Sequence, residues 1–215
     1  STPDARILNV ASTAHLTVSG RDLECGANGG APRCAAPART TAAYFGAYGN
    51  NKLAQIMHVQ ELQRELSADS KSSNGLKILC TCPGFTATNM LPKTLLGNIL
   101  KKLFFPVECA TYAPLSALLS PEAQGGEFRT NFFVFWTDHF FGRLWFDISC
   151  AIGMRVPFAG FVAVPWVIAF QNSSYGVHIT TPGSAARNET AARELLQWSR
   201  QEVKTYTDKL KKASQ

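Results

Sequence analysis

An α/β fold is what the sequence predicts, and three observations predict it. A short apolar run at 6–11 is followed by a segment at 48–66 whose apolar residues recur at three- and four-residue steps. A second short apolar run follows at 76–80. Strand, helix, strand is the order of a parallel crossover unit, because parallel neighbours need a long connection and a helix supplies it. The chain has 215 residues, 46% of them apolar. At roughly 150 residues per domain that is one domain with room for an insertion.

The elements follow in order. Arg6-Ile-Leu-Asn-Val-Ala has the composition of a buried strand and ends at Ser12-Thr13. From 26 to 43 the chain turns to Ala, Gly, Pro, Arg and Thr without a period, which reads as a loop insertion. Its Gly26, Gly29 and Gly30 make no phosphate cradle, since no strand precedes them and Pro32 follows. Leu53, Ile56, Val59, Leu62 and Leu66 mark the buried stripe of the helix at 48–66. Asn74-Gly75 breaks the chain before the second strand, and Pro83-Gly84 closes that strand. Segments 91–105 and 108–119 have helical composition punctuated by Pro92, Pro106 and Pro121, and 127–135 reads as a further strand. The stretch 132–170 is crowded with Phe, Trp, Val and Ile. Its purest part, 156–170, is 15 uncharged residues, short of the ~20 that a helical span needs and interrupted by Pro157 and Pro165. An apolar insertion at about 134–174, buried or lid-like, is the first expectation, with membrane-surface contact and a true span as alternatives. The tail at 184–212 reads as an amphipathic helix. Ser184 or Asn188 is its N-cap, and Leu195, Trp198, Val203, Tyr206 and Leu210 are its partly buried positions.

Composition excludes several functions. A net charge of +6 is modest, and no basic run is interleaved with aromatics, so nucleic acid is not expected as a partner. The six cysteines at 25, 34, 80, 82, 109 and 150 form no Cys-x-x-Cys pair and have no His at ligand spacing, so no metal site is expected. Cys80 and Cys82, two apart on a strand, read as small buried hydrophobes sharing one face in a reducing, intracellular compartment. His15, His58, His139 and His178 are isolated in sequence and read as structural or surface residues. Asn172-Ser-Ser and Asn188-Glu-Thr match the glycosylation pattern, but the cysteine usage argues against secretion. The chain starts at Ser1 with no basic or apolar leader and reads as a piece of a longer one.

Chemistry gathers around three residues. Tyr48 and Lys52 are four apart on one helix and so lie on one face, a turn from each other. A phenol with a reference pKa near ~10 is a poor acid or base at neutral pH, and a neighbouring ammonium stabilises the phenolate. Ser12 follows the first strand, at the carboxyl edge where open α/β sheets bind ligands. Tyr-x-x-x-Lys alone is weak. Its specificity comes from order: a strand ending Asn9-Val-Ala-Ser12, then Tyr48-Gly-Asn-Asn-Lys52, then a strand ending Cys82-Pro-Gly84 with Thr88 four residues beyond.

With these motifs the chain resembles the short-chain dehydrogenase/reductase family, and within it the retinol dehydrogenase and WW-domain-containing oxidoreductase branch. The branch likeness rests on Arg6-Ile-Leu-Asn-Val-Ala-Ser-Thr-Ala-His15, on the 48–65 helix with its Lys-Leu-Ala and Glu-Leu-Gln-Arg-Glu-Leu, on Cys82-Pro-Gly-Phe-Thr-Ala-Thr-Asn-Met90 and on Ala186-Arg-Asn-Glu-Thr-Ala-Ala-Arg193. It covers roughly 1–20, 44–130 and 175–205. The resemblance implies a partial Rossmann-like, doubly wound parallel sheet with flanking helices and an apolar insertion. The whole of 1–215 would be one truncated catalytic domain, with the 26–43 loop, the 134–174 insertion and the 184–212 helix as its additions.

The same resemblance implies the roles. Ser12 orients and polarises a substrate carbonyl, and Tyr48 passes a proton to or from its oxygen as hydride moves at the nicotinamide. Lys52 binds the nicotinamide ribose and assists Tyr48, while Pro83, Gly84 and Thr88 line the nicotinamide end of the cofactor. The cofactor implied is NADP, with NAD as the alternative, and the substrate an apolar alcohol or carbonyl such as a retinoid, steroid or lipid aldehyde. Hydride transfer leaves charge on an alkoxide, and a placed pair of hydroxyls is the device that stabilises it. The localisation implied is cytoplasmic or membrane-associated, the endoplasmic reticulum included.

The chain also departs from the family. Its Gly-rich pyrophosphate turn, its cofactor-selecting residue, its Asn-Asn-Ala-Gly strand and its catalytic Asn upstream of the serine have no counterpart in these residues, so the chain alone is expected to be inactive. Ala11 stands where the branch commonly has Ser, and Asn51 where Ser often precedes the Lys. The 36 positions from Ser12 to Tyr48 exceed the family habit, and the 26–43 loop accounts for them. The competing expectation is a non-catalytic or membrane-associated binding protein that keeps the scaffold and uses 134–174 as its contact surface.

Overall fold

The computed structural model describes residues 5–25, 31–32, 41–68, 75–84, 86–87, 98, 106–132 and 175–213. Four strands form one open sheet in the order β1 (Arg6–Val10), β2 (Lys77–Cys82), β3 (Phe128–Phe132), β4 (Tyr175–Thr180). The first three are parallel: Arg6 lies opposite Lys77 and Val10 opposite Thr81, then Cys80 opposite Phe128. Strand β4 returns antiparallel to β3, with Thr180 opposite Phe128. The expected parallel sheet is therefore mostly parallel. The sequence hid β4 because its alternation is inverted. Val177 and Ile179 are exposed while His178 and Thr180 are half-buried, the reverse of an ordinary half-buried strand.

One long helix, α1 (Thr41–Ala68), covers one face, and a second, α4 (Glu189–Ala213), lies against α1. Pleating alternates the side chains of β2. Ile78, Cys80 and Cys82 join Phe128 under α1 in a core with Leu53, Ile56, Met57, Val59 and, from α4, Ala191, Ala192 and Leu195. Leu79 points the other way, onto Ala117 and Ala123. Ala117 belongs to α3 (Tyr112–Leu119), which follows the single turn α2 (Val107–Ala110). The helix expected at 108–119 is thus divided at Thr111. Pro114 is tolerated because it sits in the first turn of α3, whose N–H groups have no intrahelical acceptor. The C-terminus of α3 is closed from across the sheet. Arg6 Nη1 on β1 donates to the carbonyls of Ala117 at 2.9 Å and Ser120 at 2.7 Å.

Three further expectations are corrected. Helix α1 begins at Thr41, so 41–43 belong to it and not to the loop; Ala42, Ala43 and Ala47 are strong helix formers that carry it past Gly46 and Gly49, where the apolar period is lost. Strand β1 is not buried: it is the edge of the described sheet, and Ile7 and Val10 are 52% and 47% exposed. The tail opens with a 3₁₀ turn (Ser184–Arg187), and Asn188 is the residue that caps α4, its Oδ1 accepting from Ala191 N at 3.2 Å. Leu195 is buried and Trp198 half-buried, but Val203, Tyr206 and Leu210 are exposed because α4 runs past its contacts with α1. Among those contacts Arg200 meets Glu65 in a forked pair at 3.0 and 2.7 Å. The helix expected at 91–105, the 134–174 insertion and most of the 26–43 loop lie outside the described residues. Among the described residues no helix is long and apolar enough to cross a membrane.

A buried carboxylate fixes α1 against α4. Glu61 is 2% exposed and is held by Arg64 and by Arg193 Nε at 3.4 Å, while Arg64 also reaches Glu189 at 3.3 Å. Removing either arginine leaves charge in the interface less compensated, which is costly where water cannot replace it. The setting of α1 matters because it carries Tyr48 and Lys52.

Candidate active site

The carboxyl edge of the parallel strands collects most of the sequence-predicted residues. Ser12 lies two residues past β1, in extended backbone (φ −156°, ψ 151°), and its Oγ accepts from Ala14 N at 3.1 Å, capping the 3₁₀ turn Thr13–Thr17. The neighbouring backbone is stitched to β2, with Ala11 N donating to Thr81 O at 2.8 Å and Thr13 N to Cys82 Sγ at 3.4 Å. Helix α1 brings Lys52 to the same place. Its Nζ donates to Val10 O, the last carbonyl of β1, at 3.0 Å, and to Gln55 Oε1 at 3.1 Å. The same Nζ lies 5.7 Å from the centre of the Tyr48 ring, so phenol and ammonium are neighbours as the four-residue spacing requires.

Pro83 and Gly84 leave β2 at this edge. Gly84 has φ +81°, a left-handed conformation in which a side chain would be strained. The Pro83 carbonyl accepts from Asn131 Nδ2 at 2.9 Å. Thr88 lies outside the described residues. The structure thus sets Lys52, with the Tyr48 ring beside it, on the last carbonyl of β1, two residues ahead of Ser12, and Pro83 and Gly84 follow the neighbouring strand β2.

Several positioning residues escaped the sequence. Asn131 of β3 is fully buried with its amide wholly engaged. Its Nδ2 donates to Pro83 O and to Cys109 O at 2.9 Å each, and its Oδ1 accepts from Ala113 N at 2.6 Å. Asn50, 2% exposed between Tyr48 and Lys52, donates to Asp22 Oδ2 at 2.9 Å, while its Oδ1 is buried with no partner among the described residues. His15 is 2% exposed and packs edge-on against Phe128. Its Nε2 faces Gly183 N at 3.2 Å and its Nδ1 faces Ser12 O at 2.8 Å. A backbone N–H can only donate, so Nε2 accepts and the proton sits on Nδ1. One neutral tautomer therefore pins the Ser12 carbonyl. No spacing rule marks these residues, since each takes its role from groups distant in sequence.

Burial lowers the His15 pKa from 6.5, against the raising pull of its bond to Ser12, and burial lowers that of His58 as well. Above about pH 6.5 both histidines are neutral folded or unfolded, and the native state keeps its full stability. Below that pH the unfolded chain takes up protons first, so stability falls as pH drops through the folded-state values. Urea midpoints at about pH 7.5 and about pH 5.5 should show the loss, and His15→Gln should reduce it. An unchanged pH dependence in that variant would remove His15 from the account.

The buried thiols are not nucleophiles. Burial pushes Cys80 up to about 12 and raises Cys82 too, which keeps both protonated on the shared strand face expected of them. Among the described residues no group of three or more His, Cys, Asp or Glu is placed to hold a metal ion.

Comparison with known proteins adds little. No family profile matches the chain, and no curated protein matches it. Among solved structures it is similar to an uncharacterised protein from Mycobacterium paratuberculosis, at 19% identity and a TM-score of 0.47. The match covers 92% of this chain and 49% of that one, so the chain spans about half the length of that protein.

Proposed function

We propose that the chain is the catalytic and substrate-binding part of a short-chain dehydrogenase/reductase with a partial Rossmann-like fold. It would interconvert an alcohol and a carbonyl on an apolar small molecule with NADP, or with NAD. One observation carries the assignment: the bond from Lys52 Nζ to Val10 O, which places the ammonium beside Tyr48 and two residues from Ser12.

The residues suit the nicotinamide end of such a cofactor. Lys52 uses two of its three N–H donors on Val10 and Gln55, leaving one for a ribose hydroxyl. Gly84, with no side chain, lets a ring approach the backbone. When bound, NAD(P) supplies the hydride chemistry. In the reducing direction Ser12 Oγ, with Ala14 N–H on its lone pair, gives its own hydrogen bond to the substrate carbonyl. Tyr48 Oη delivers the proton as charge builds on that oxygen, and the Lys52 ammonium stabilises the phenolate left behind. Thr88 would complete the cofactor contact.

Ser12→Ala in the full-length parent protein, assayed with NADPH and a retinoid or steroid carbonyl, is expected to lower kcat/KM by about 10²-fold with cofactor affinity kept. Equal turnover would remove Ser12 from the mechanism.

A second function, that of a non-catalytic binding protein on the same scaffold, is favoured by the outer face of α3, where Tyr112, Leu115, Leu118 and Leu119 are all exposed. It requires that the full-length protein bind no nicotinamide cofactor. Either proposal leaves a membrane-surface contact through 134–174 as a separate proposal, with an intracellular, cytoplasmic or membrane-associated site of action.

A further inference from the structure

We infer that the outer end of α4 is an amphipathic foot that binds anionic lipid surfaces. Helix α4 continues thirteen residues past Arg200, and every residue of that extension is exposed. An isolated helix of that length is marginal in water, so an apolar stripe along it calls for a covering surface. Val203, Tyr206 and Leu210 provide the stripe, at 66%, 65% and 53% exposure. At 3.6 residues per turn they fall within an arc of about 60°. Leu195 and Leu196, both buried against the body, lie on the same side. The core-facing face therefore runs off the edge of the fold and stays apolar.

Charge identifies the occupant. The extension holds four lysines, 204, 209, 211 and 212, against Glu202 and Asp208, a net +2. On the helical wheel Lys209 lies on one flank of the stripe, next to Glu202, and Lys211 on the other with Lys204 about 20° beyond it, while Asp208 and Lys212 share the opposite side. Lysines on both flanks can lie along the apolar surface and raise their ammonium groups to phosphate level, with the carboxylate of Asp208 kept in water. A second copy of the chain fits less well. A stable dimer needs roughly 800 Å² per partner, and three side chains on one helical face supply less than about half of that. Two such extensions would also bring like net charges together. A lipid surface needs only shallow insertion of a few side chains and attraction to its headgroups. The inference uses neither Tyr48 nor Lys52 and is independent of the proposed chemistry.

Flotation of the 215-residue chain with vesicles of phosphatidylcholine alone, and of phosphatidylcholine with about one third phosphatidylserine, tests this. Binding is expected at least tenfold stronger on the anionic vesicles. It should fall about tenfold or more in Lys204→Glu/Lys209→Glu and in Val203→Ser/Tyr206→Ser/Leu210→Ser, with unchanged circular dichroism below the melting transition. All five positions are exposed, so the fold tolerates the changes. Equal binding to both vesicles, no binding by the parent chain, or undiminished binding by the apolar triple variant overturns the inference; the last would place the contact elsewhere, 134–174 included. A dimer seen by light scattering that the triple variant converts to monomer also overturns it, in favour of self-association.

Discussion

Tyr48→Phe, made in the full-length parent protein, is expected to lower kcat by about 10²- to 10⁴-fold while leaving cofactor binding intact. The substitution removes one oxygen and its proton. The aromatic ring stays, so the contact with the Lys52 ammonium, 5.7 Å from its centre, stays with it. Lys52 is held independently by Val10 O and Gln55 Oε1 and does not need the phenol to keep its place. Lost turnover with retained cofactor affinity therefore isolates proton transfer. Lys52→Met should differ, raising the KM for cofactor as well as lowering kcat, since it removes the donor for the ribose. Turnover undiminished in Tyr48→Phe would end the dehydrogenase assignment.

Asn131→Ala is expected to destabilise the fold by about 3–5 kcal/mol in urea unfolding. The lost side chain is buried and answers three backbone groups at once: the N–H of Ala113 and the carbonyls of Pro83 and Cys109. Each left unpaired out of reach of water costs roughly 1–3 kcal/mol, and the sum is trimmed by any water that enters the space. Asn131→Asp is the sharper variant. It keeps an acceptor for Ala113 N–H but sets a carboxylate against two carbonyls, so it should lose stability most above the carboxyl pKa and recover part of it in acid. A fall of under about 1 kcal/mol in Asn131→Ala would mean that the amide is not the bolt between β3, the Pro83-Gly84 exit and α2.

The crossover β1–α1–β2 was legible because helical periodicity and strand composition are local properties: Leu53, Ile56 and Val59 are buried where their spacing puts them. The proximity of Tyr48 and Lys52 follows from helix geometry alone. What the sequence concealed is set by partners far along the chain. Asn131 sits in a strand-like run and looks like any polar residue there. His15 becomes a bridge only once Gly183 arrives. The exposure of Val203, Tyr206 and Leu210 depends on where the α1–α4 contacts stop, which an amphipathic pattern cannot encode. Strand β4 was missed because its apolar side is its exposed one.

The bond from Gly183 N to His15 Nε2 spans 168 positions, and it has a temporal meaning. During synthesis the loop bearing Ser12 is made well ahead of the group that steadies its histidine, 168 positions later. Contacts so remote close slowly, because the intervening chain must first surrender its freedom. The edge that carries Ser12 can therefore settle fully only after residue 183 has been made. A chain cut ahead of Gly183 would keep Ser12 and His15 but lose the backbone donor to His15 Nε2.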